Sequence, residues 1–258
     1  MNVEIKMLKD FEPGELILIC GVPGIAYIGK ISIDYLVQQL KAELVGEVYS
    51  KYFPPYVIIK EDGLVELLRN ELQLFIDESG RTIVFLTGNA QAYSPEGQYE
   101  IGEAILEWAI NKRVKRVYSV AAYITDRPFE APNVYSTTTT LALLEEAKVH
   151  GAQFLDDGII GGENGLIMGL AKKRNVEGVC LLAETHGYQT PTGEFIIDPR
   201  AAKAALKVMT SMLNLKIDMD PMEKQVVEMD EAIAKLVEIE RKIRKEMAGA
   251  GQRPAYVT

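Results

Sequence analysis

The strongest signal along the chain is a set of short runs in which apolar residues follow one another with little alternation. Glu15–Cys20, Thr82–Thr87, Arg116–Val120 and Gly178–Ala183 are runs of this kind. Apolarity at successive positions predicts strands covered on both faces, as in a parallel sheet. Between the runs, apolar residues recur three and four apart. The stripe Ile28, Ile31, Tyr35, Leu36, Leu40 predicts a helix over Ala26–Leu40. The same periodicity predicts helices over Pro95–Asn111, Thr138–Val149, Glu163–Arg174 and Asp198–Leu213. Strands alternating with helices of this length define an α/β fold, a mostly parallel sheet flanked by helices.

One stretch interrupts that alternation. Tyr56–Lys60 and Leu64–Arg69 are apolar runs separated by Glu61-Asp62-Gly63, followed by a further run at Leu72–Ile76. Asp-Gly between apolar runs signals a hairpin, so an antiparallel hairpin is inserted after the first strand–helix unit or extends one edge of the sheet. Residues 1–215 then form one α/β domain.

Past residue 215 the pattern changes. Asp220-Pro221 supplies a cap and a first-turn proline, which start a long C-terminal helix over 220–247. Met222, Met229, Leu236 and Ile243 repeat every seven positions, with Val226 and Ile233 between them and Glu240 as the one break. A seam this narrow predicts packing on another helix, and therefore self-association through these residues. Docking on the chain's own sheet domain is the other reading of the stripe. Residues 248–258 form a short tail in which Gly249-Ala250-Gly251 precedes Arg253, Pro254, Ala255, Tyr256, Val257 and Thr258. A glycine-rich hinge with an aromatic end suits a tethered peptide that enters a partner's pocket.

Composition narrows the function classes. The 28 basic and 37 acidic residues leave a net charge of −9, which disfavours broad nucleic-acid binding. Lys112–Arg116 is the nearest approach to a basic patch and reads as a solvated turn. Cys20 and Cys180 have neither metal nor redox spacing and read as buried thiols. No apolar stretch approaches the roughly 18 residues of a membrane span, and the N-terminus has no signal-peptide core. A cytoplasmic protein without membrane or nucleic-acid partners is expected.

Three segments invite a chemical reading. Gly24–Lys30 satisfies G-x-x-x-x-G-K after a strand, with Gly21 just before it. In a phosphate loop the following residue is a Ser or Thr that holds magnesium, whereas here it is Ile31, and Ser32 comes one position late. Gly161-Gly162-Glu163-Asn164-Gly165 opens a helix and offers free backbone donors, so Gly162, Asn164 and Gly165 are candidates for a small-ligand loop. Glu184 and His186 close an apolar strand, where open α/β sheets place ligands, and together would make an acid/base pair. No metal-ligand spacing and no nucleophile elbow accompanies them. The expectation is therefore no catalytic residue, no metal and no cofactor. The alternative is an ATP-dependent carboxylate ligase or nucleotide-binding enzyme using Gly24, Lys30 and the Gly161–Gly165 loop.

The order of the pieces is itself informative. Gly21-Val22-Pro23-Gly24, Phe53-Pro54-Pro55, Asp62-Gly63, Gly161–Leu166, Leu181–Tyr188 and Asp198–Ala202 resemble, in sequence order, the proteasome assembly chaperone family in its archaeal branch. The resemblance covers roughly residues 10–215. It implies a non-enzymatic, homo-oligomeric α/β protein that binds 20S proteasome α subunits without nucleotide hydrolysis. It also implies a C-terminal tail ending in hydrophobic-Tyr-any, docked between α subunits. Ala255-Tyr256-Val257 fits that triplet, but Thr258 follows it and moves the terminal carboxylate by about 3.5 Å, beyond hydrogen-bond tolerance. Archaeal relatives have also been labelled ATP-grasp-like, which Ile31 argues against.

Overall fold

The computed structural model describes residues 2–235 apart from positions 128, 130, 191 and 232. The first strand, β1 (Val3–Met7), leads to β2 (Leu16–Cys20), a short 3-10 turn at Ile25–Tyr27 and α1 (Ile28–Leu40). Then come β3 (Glu43–Ser50), the hairpin β4 (Val57–Ile59) and β5 (Val65–Leu67), β6 (Asn70–Ile76) and β7 (Thr82–Gly88). The second half runs α2 (Pro95–Asn111), β8 (Val114–Ile124), β9 (Val134–Thr138), α3 (Leu141–Val149), β10 (Gln153–Phe154), α4 (Glu163–Lys173), β11 (Glu177–Thr185) and α5 (Pro199–Leu213). A further helix covers 220–231.

The nine-stranded sheet has the order β1-β3-β6-β7-β2-β8-β11-β9-β10, and β4 with β5 makes a separate two-stranded ribbon. Its centre, β7-β2-β8-β11, is parallel throughout. On one side β1, β3 and β6 add antiparallel strands, and on the other β9 runs antiparallel to β11. The expected parallel core is therefore present, inside a mixed sheet.

The uninterrupted apolar runs are explained by helices on both faces. Leu16, Leu18 and Cys20 of β2 point toward α2 and α4, where Ile101, Ile105, Ile167 and Leu170 are buried with them. Ile19, on the opposite face, joins Ile33 and Leu36 of α1 and Leu206 and Met209 of α5. Each fully buried side chain of this size contributes about 1.5–3 kcal/mol, so β2 is anchored from both faces.

Two expectations change. The helix expected over Thr138–Val149 begins only at Leu141, because Val134–Thr138 pairs with β11 as a strand and Thr140 caps the helix through Oγ1. Four consecutive threonines favour strand over helix, since β-branched side chains lose rotamer freedom on a helix. The second change concerns the heptad seam. Met222 is fully buried, and Val226 and Met229 nearly so, within this chain alone. Met222 belongs to the core beside Tyr35, Leu206 and Met209. Tyr35 Oη donates to the Asp218 carbonyl at 2.6 Å, and the pairs Lys203–Glu223 and Arg200–Asp230 tie the 220–231 helix to α5. Met222 is covered by the chain's own α1 and α5, and Val226 and Met229 are buried within the chain, which corrects the reading that placed these three positions at an interface between copies. Ile233 is half-buried. Leu236, Ile243 and the tail residues Arg253–Thr258 lie outside the described residues.

Candidate functional site

Strands β2, β8 and β11 run parallel; β2 ends opposite Ser119 while β8 and β11 run on together to Ile124 and Thr185, and their carboxyl ends gather the loops singled out in the sequence. The start of α4 is the keystone. Gly162, its cap, has φ of 78°, in the left-handed region that glycine accepts without strain. Asn164, in the first turn, reaches across to the end of β2. Its Oδ1 accepts from the Val22 N–H at 3.1 Å and its Nδ2 donates to the Val22 carbonyl at 3.0 Å. Both groups are buried, so the pair satisfies one residue's entire backbone with one amide side chain.

That clamp accounts for the glycines of the phosphate-loop look-alike. A Cβ on Gly29 would stand 2.6 Å from the Val120 carbonyl oxygen and 2.9 Å from Asn164 Nδ2, and one on Gly21 would stand 2.3 Å from the Gly29 carbonyl oxygen. Helix, strand and loop touch there without room for a side chain. Ala26 and Tyr27 between them take φ of 50° and 55°, and the Ala26 carbonyl accepts from Asp198 N–H at 3.0 Å. Lys30 pairs with Asp34 at 2.6 Å, one turn along α1, and Asp34 also accepts from Thr87 Oγ1 at 2.5 Å. The lysine thus faces a carboxylate of its own helix.

A cavity of about 420 Å³ opens between these loops, lined among others by Gly24, Ile25, Gln91, Ile124, Ile159 and Asn164. Its size suits a small ligand. Its lining residues carry no charge, Asn164 is engaged by Val22, and Gln91 donates to the Pro23 carbonyl at 2.9 Å. A nucleotide would meet glycine amides there but no cation for its phosphates.

Glu184 and His186 stand beside the cavity with separate tasks. The Glu184 carboxylate is almost wholly buried and accepts from Arg127 Nη2 (2.8 Å), the Asn133 amide (2.8 Å) and Tyr135 Oη (3.1 Å). Burial works to raise its pKa, yet these donors hold it below the ordinary carboxylate value. The Nδ1 of His186 bonds to the Thr125 carbonyl at 3.1 Å, while its ring stacks on Phe129 at 4.5 Å and meets the edge of Tyr188 at 5.4 Å. The expected Glu184–His186 pair is not formed. Each instead fastens the segment between β8 and β9. The partners Arg127, Phe129 and Asn133 carried no periodic or motif signal in the sequence.

Three residues of the basic cluster are engaged within the chain: Lys112 bonds Asp10 and the Phe11 carbonyl, Lys115 bonds Glu15, and Arg116 bonds Glu146 and Glu177. One group was missed altogether. Glu163, first residue of α4, is buried, and neither carboxyl oxygen has a hydrogen-bond partner. Burial pushes its pKa up to about 8. It also helps burial raise the Cys20 thiol. An acid in a helix's first turn ordinarily reads as a solvated partner of the helix dipole, so the sequence pointed it outward.

Among the described residues no group of three or more His, Cys, Asp or Glu is placed to hold a metal ion, and no helix is long and apolar enough to cross a membrane. Fold and site together define an α/β protein whose strand-end polar groups bind one another and fasten loops. The model of the PAC2 family matches residues 18–237, and the chain belongs to that family. An uncharacterised protein of Methanocaldococcus jannaschii is 34% identical over 254 residues, covering 98% of this chain and 93% of that protein. Among solved structures, Pyrococcus furiosus PbaB, an archaeal proteasome activator, superposes with a TM-score of 0.83 at 28% identity, over 91% of this chain and 98% of that one. PbaA of the same organism, an archaeal homologue of proteasome-assembly chaperone, shares the fold with a TM-score of 0.76 at 24% identity, over 97% and 98%. The resemblance drawn from the sequence motifs to the archaeal proteasome assembly chaperones is borne out.

Proposed function

We propose that this chain is a non-enzymatic, homo-oligomeric binding protein of the cytoplasm that engages 20S proteasome α subunits, as an assembly chaperone or activator, without hydrolysing nucleotide. The observation that carries the reading is the likeness to PbaB along nearly the whole of both chains. The saturated strand ends support it: Lys30, Glu184 and Asn164 are each engaged by a partner within the chain. In this reading residues 1–215 are the body, and Arg253–Thr258 are the partner-directed tail, with Tyr256 as its aromatic anchor.

Titration of the purified protein against proteasome α subunits, followed by mass photometry with and without ATP, tests the reading. A complex of the same affinity under both conditions is expected. Deleting Arg253–Thr258 should weaken it while leaving the melting temperature unchanged. No complex, together with a thermal shift that needs ATP and magnesium, would overturn the reading and return Lys30, Glu184 and His186 to consideration as an active site.

A further inference from the structure

The β4–β5 ribbon is built inside out. Its register pairs Val57 with Leu67 and Ile59 with Val65, so these four side chains share one face. They are 52%, 62%, 72% and 65% exposed respectively. The opposite face pairs Ile58 with Glu66, and Glu66 is bridged by Lys60 at 3.1 Å and Arg69 at 2.8 Å. Antiparallel elements normally turn the apolar face to the core and the charged one to water. Here the charges are neutralised within the chain, and the apolar face is the one left bare.

We infer that this face, Val57, Ile59, Val65 and Leu67, is where a second copy of the chain docks. The inference rests on the homo-oligomeric part of the proposed function and assigns it a surface. Three observations carry it. First, a ribbon of three residue pairs standing apart from the nine-stranded sheet needs a covered face to be stable, and among the described residues this one is bare apart from its Val57–Leu67 end, which lines a groove with Asn2, Glu4 and Tyr49. Second, the face is a contiguous apolar patch whose four side chains expose on the order of 400 Å². That is close to the apolar share of the roughly 800 Å² each partner buries in a stable interface and exceeds what scattered surface apolar residues make. Third, the face suits its own image. It holds no charge to be desolvated, and a two-fold axis through an antiparallel pair of ribbons sets the Glu61–Asp62 tips at opposite ends. The apolar stripe of the 220–231 helix cannot serve in its place at Met222, Val226 and Met229, which are buried within the chain.

The test is the solution mass of the full chain by size exclusion with light scattering, for wild type, for the Ile59→Lys/Leu67→Lys double variant, and for Leu141→Lys, an exposed apolar position on α3. The expected result is a multiple of 28.7 kDa for wild type and Leu141→Lys, and 28.7 kDa for the double variant, with unchanged circular dichroism. As a second measurement that does not weaken the interface by charge, Ile59→Cys treated with a short bismaleimide should give a covalent dimer, and Leu141→Cys should not. The native Cys20 and Cys180 are buried and give little background. An oligomeric wild type whose mass the double variant shares, with no Ile59→Cys cross-link, overturns the hairpin assignment while leaving self-association standing. A wild type of 28.7 kDa at every concentration overturns self-association itself, and with it this inference. In that case, loss of α-subunit binding by the double variant would assign the face to the proteasome instead.

Discussion

Replacing Glu163 by Gln should remove a pH-dependent weakness from the fold. In the folded chain both carboxyl oxygens are buried without a partner, and the group takes up its proton with a pKa of about 8. In the unfolded chain it returns to the ordinary carboxylate value, 4.5. Below that value both states are protonated and the group adds no penalty. Between the two values the unfolded chain is ionised and the folded chain is not, so the folded state binds more protons and stability falls as pH rises. At about 1.4 kcal/mol per pH unit the loss reaches about 5 kcal/mol near pH 8 and levels off above it. The Gln side chain is the same size, buries a polar group as well, and never ionises, so the variant should lie within about 1–2 kcal/mol of wild type at pH 5. Urea unfolding of both proteins at pH 5, 7 and 9, with equal slopes, gives the difference directly. The gap should widen toward pH 9 by about 3–5 kcal/mol in favour of the variant. Other carboxylates titrate identically in both proteins and cancel. A gap that stays constant across this range would refute the picture of an unpartnered carboxyl.

Asn164→Ala should cost about 2–4 kcal/mol in thermal or urea unfolding, because it strands the buried N–H and carbonyl of Val22 as well as losing two bonds; a loss under 1 kcal/mol would mean that β2 and α4 are not joined there. Met222→Asp puts a charge at a fully buried site and should release the 220–231 helix from α5, at about 3 kcal/mol or more. Hydrogen exchange should then accelerate over 220–231 and leave the central strands protected. Glu184→Gln should expose the segment around Phe129 to chymotrypsin by removing the ion pair to Arg127. Because donors hold Glu184 below the ordinary carboxylate value, the stability it confers is full above about pH 4.5 and drains as pH falls further, a loss the Gln variant should not show.

How far the sequence could be read depended on whether a feature's meaning was local. The apolar runs around Ile17, Val84, Val117 and Leu181 announce central strands because burial on two faces leaves few polar positions. Helix α2 is legible to the residue, since Ser94 caps it by accepting from Gly97 N–H and Pro95 opens it. The edge strands were not. In β1 exposed and half-buried positions alternate over five residues, and β10 has only two, too short for any periodicity to show. The candidate site was legible as a place and illegible as chemistry. Gly21, Gly24, Gly162, Asn164, Glu184 and His186 do converge at the strand ends, but what each does is decided by residues far away in the chain. Gly29 is glycine because of Val120 and Asn164, and Glu184 is held by Arg127 and Asn133.

The terminal helix shows most clearly how a pattern underdetermines its partner. An apolar stripe at three- and four-residue spacing says that a helix lies on something, and a second copy of the chain and the chain's own α5 present equally good surfaces to it. The connector is what decides. Only residues 214–219 separate α5 from the next helix, and a link of that length ordinarily returns a helix against the one just finished. Asn214 turns the chain through the left-handed region, with φ of 50°, and Leu215 bonds back to the Thr210 carbonyl at 2.9 Å. The returning chain meets Tyr35 at Asp218 and then seats Met222. Once that docking covers the first seam positions, the largest bare apolar face that remains with a defined register is the β4–β5 ribbon. Self-association thereby becomes a question about Ile59 and Leu67 rather than about Met222 and Met229.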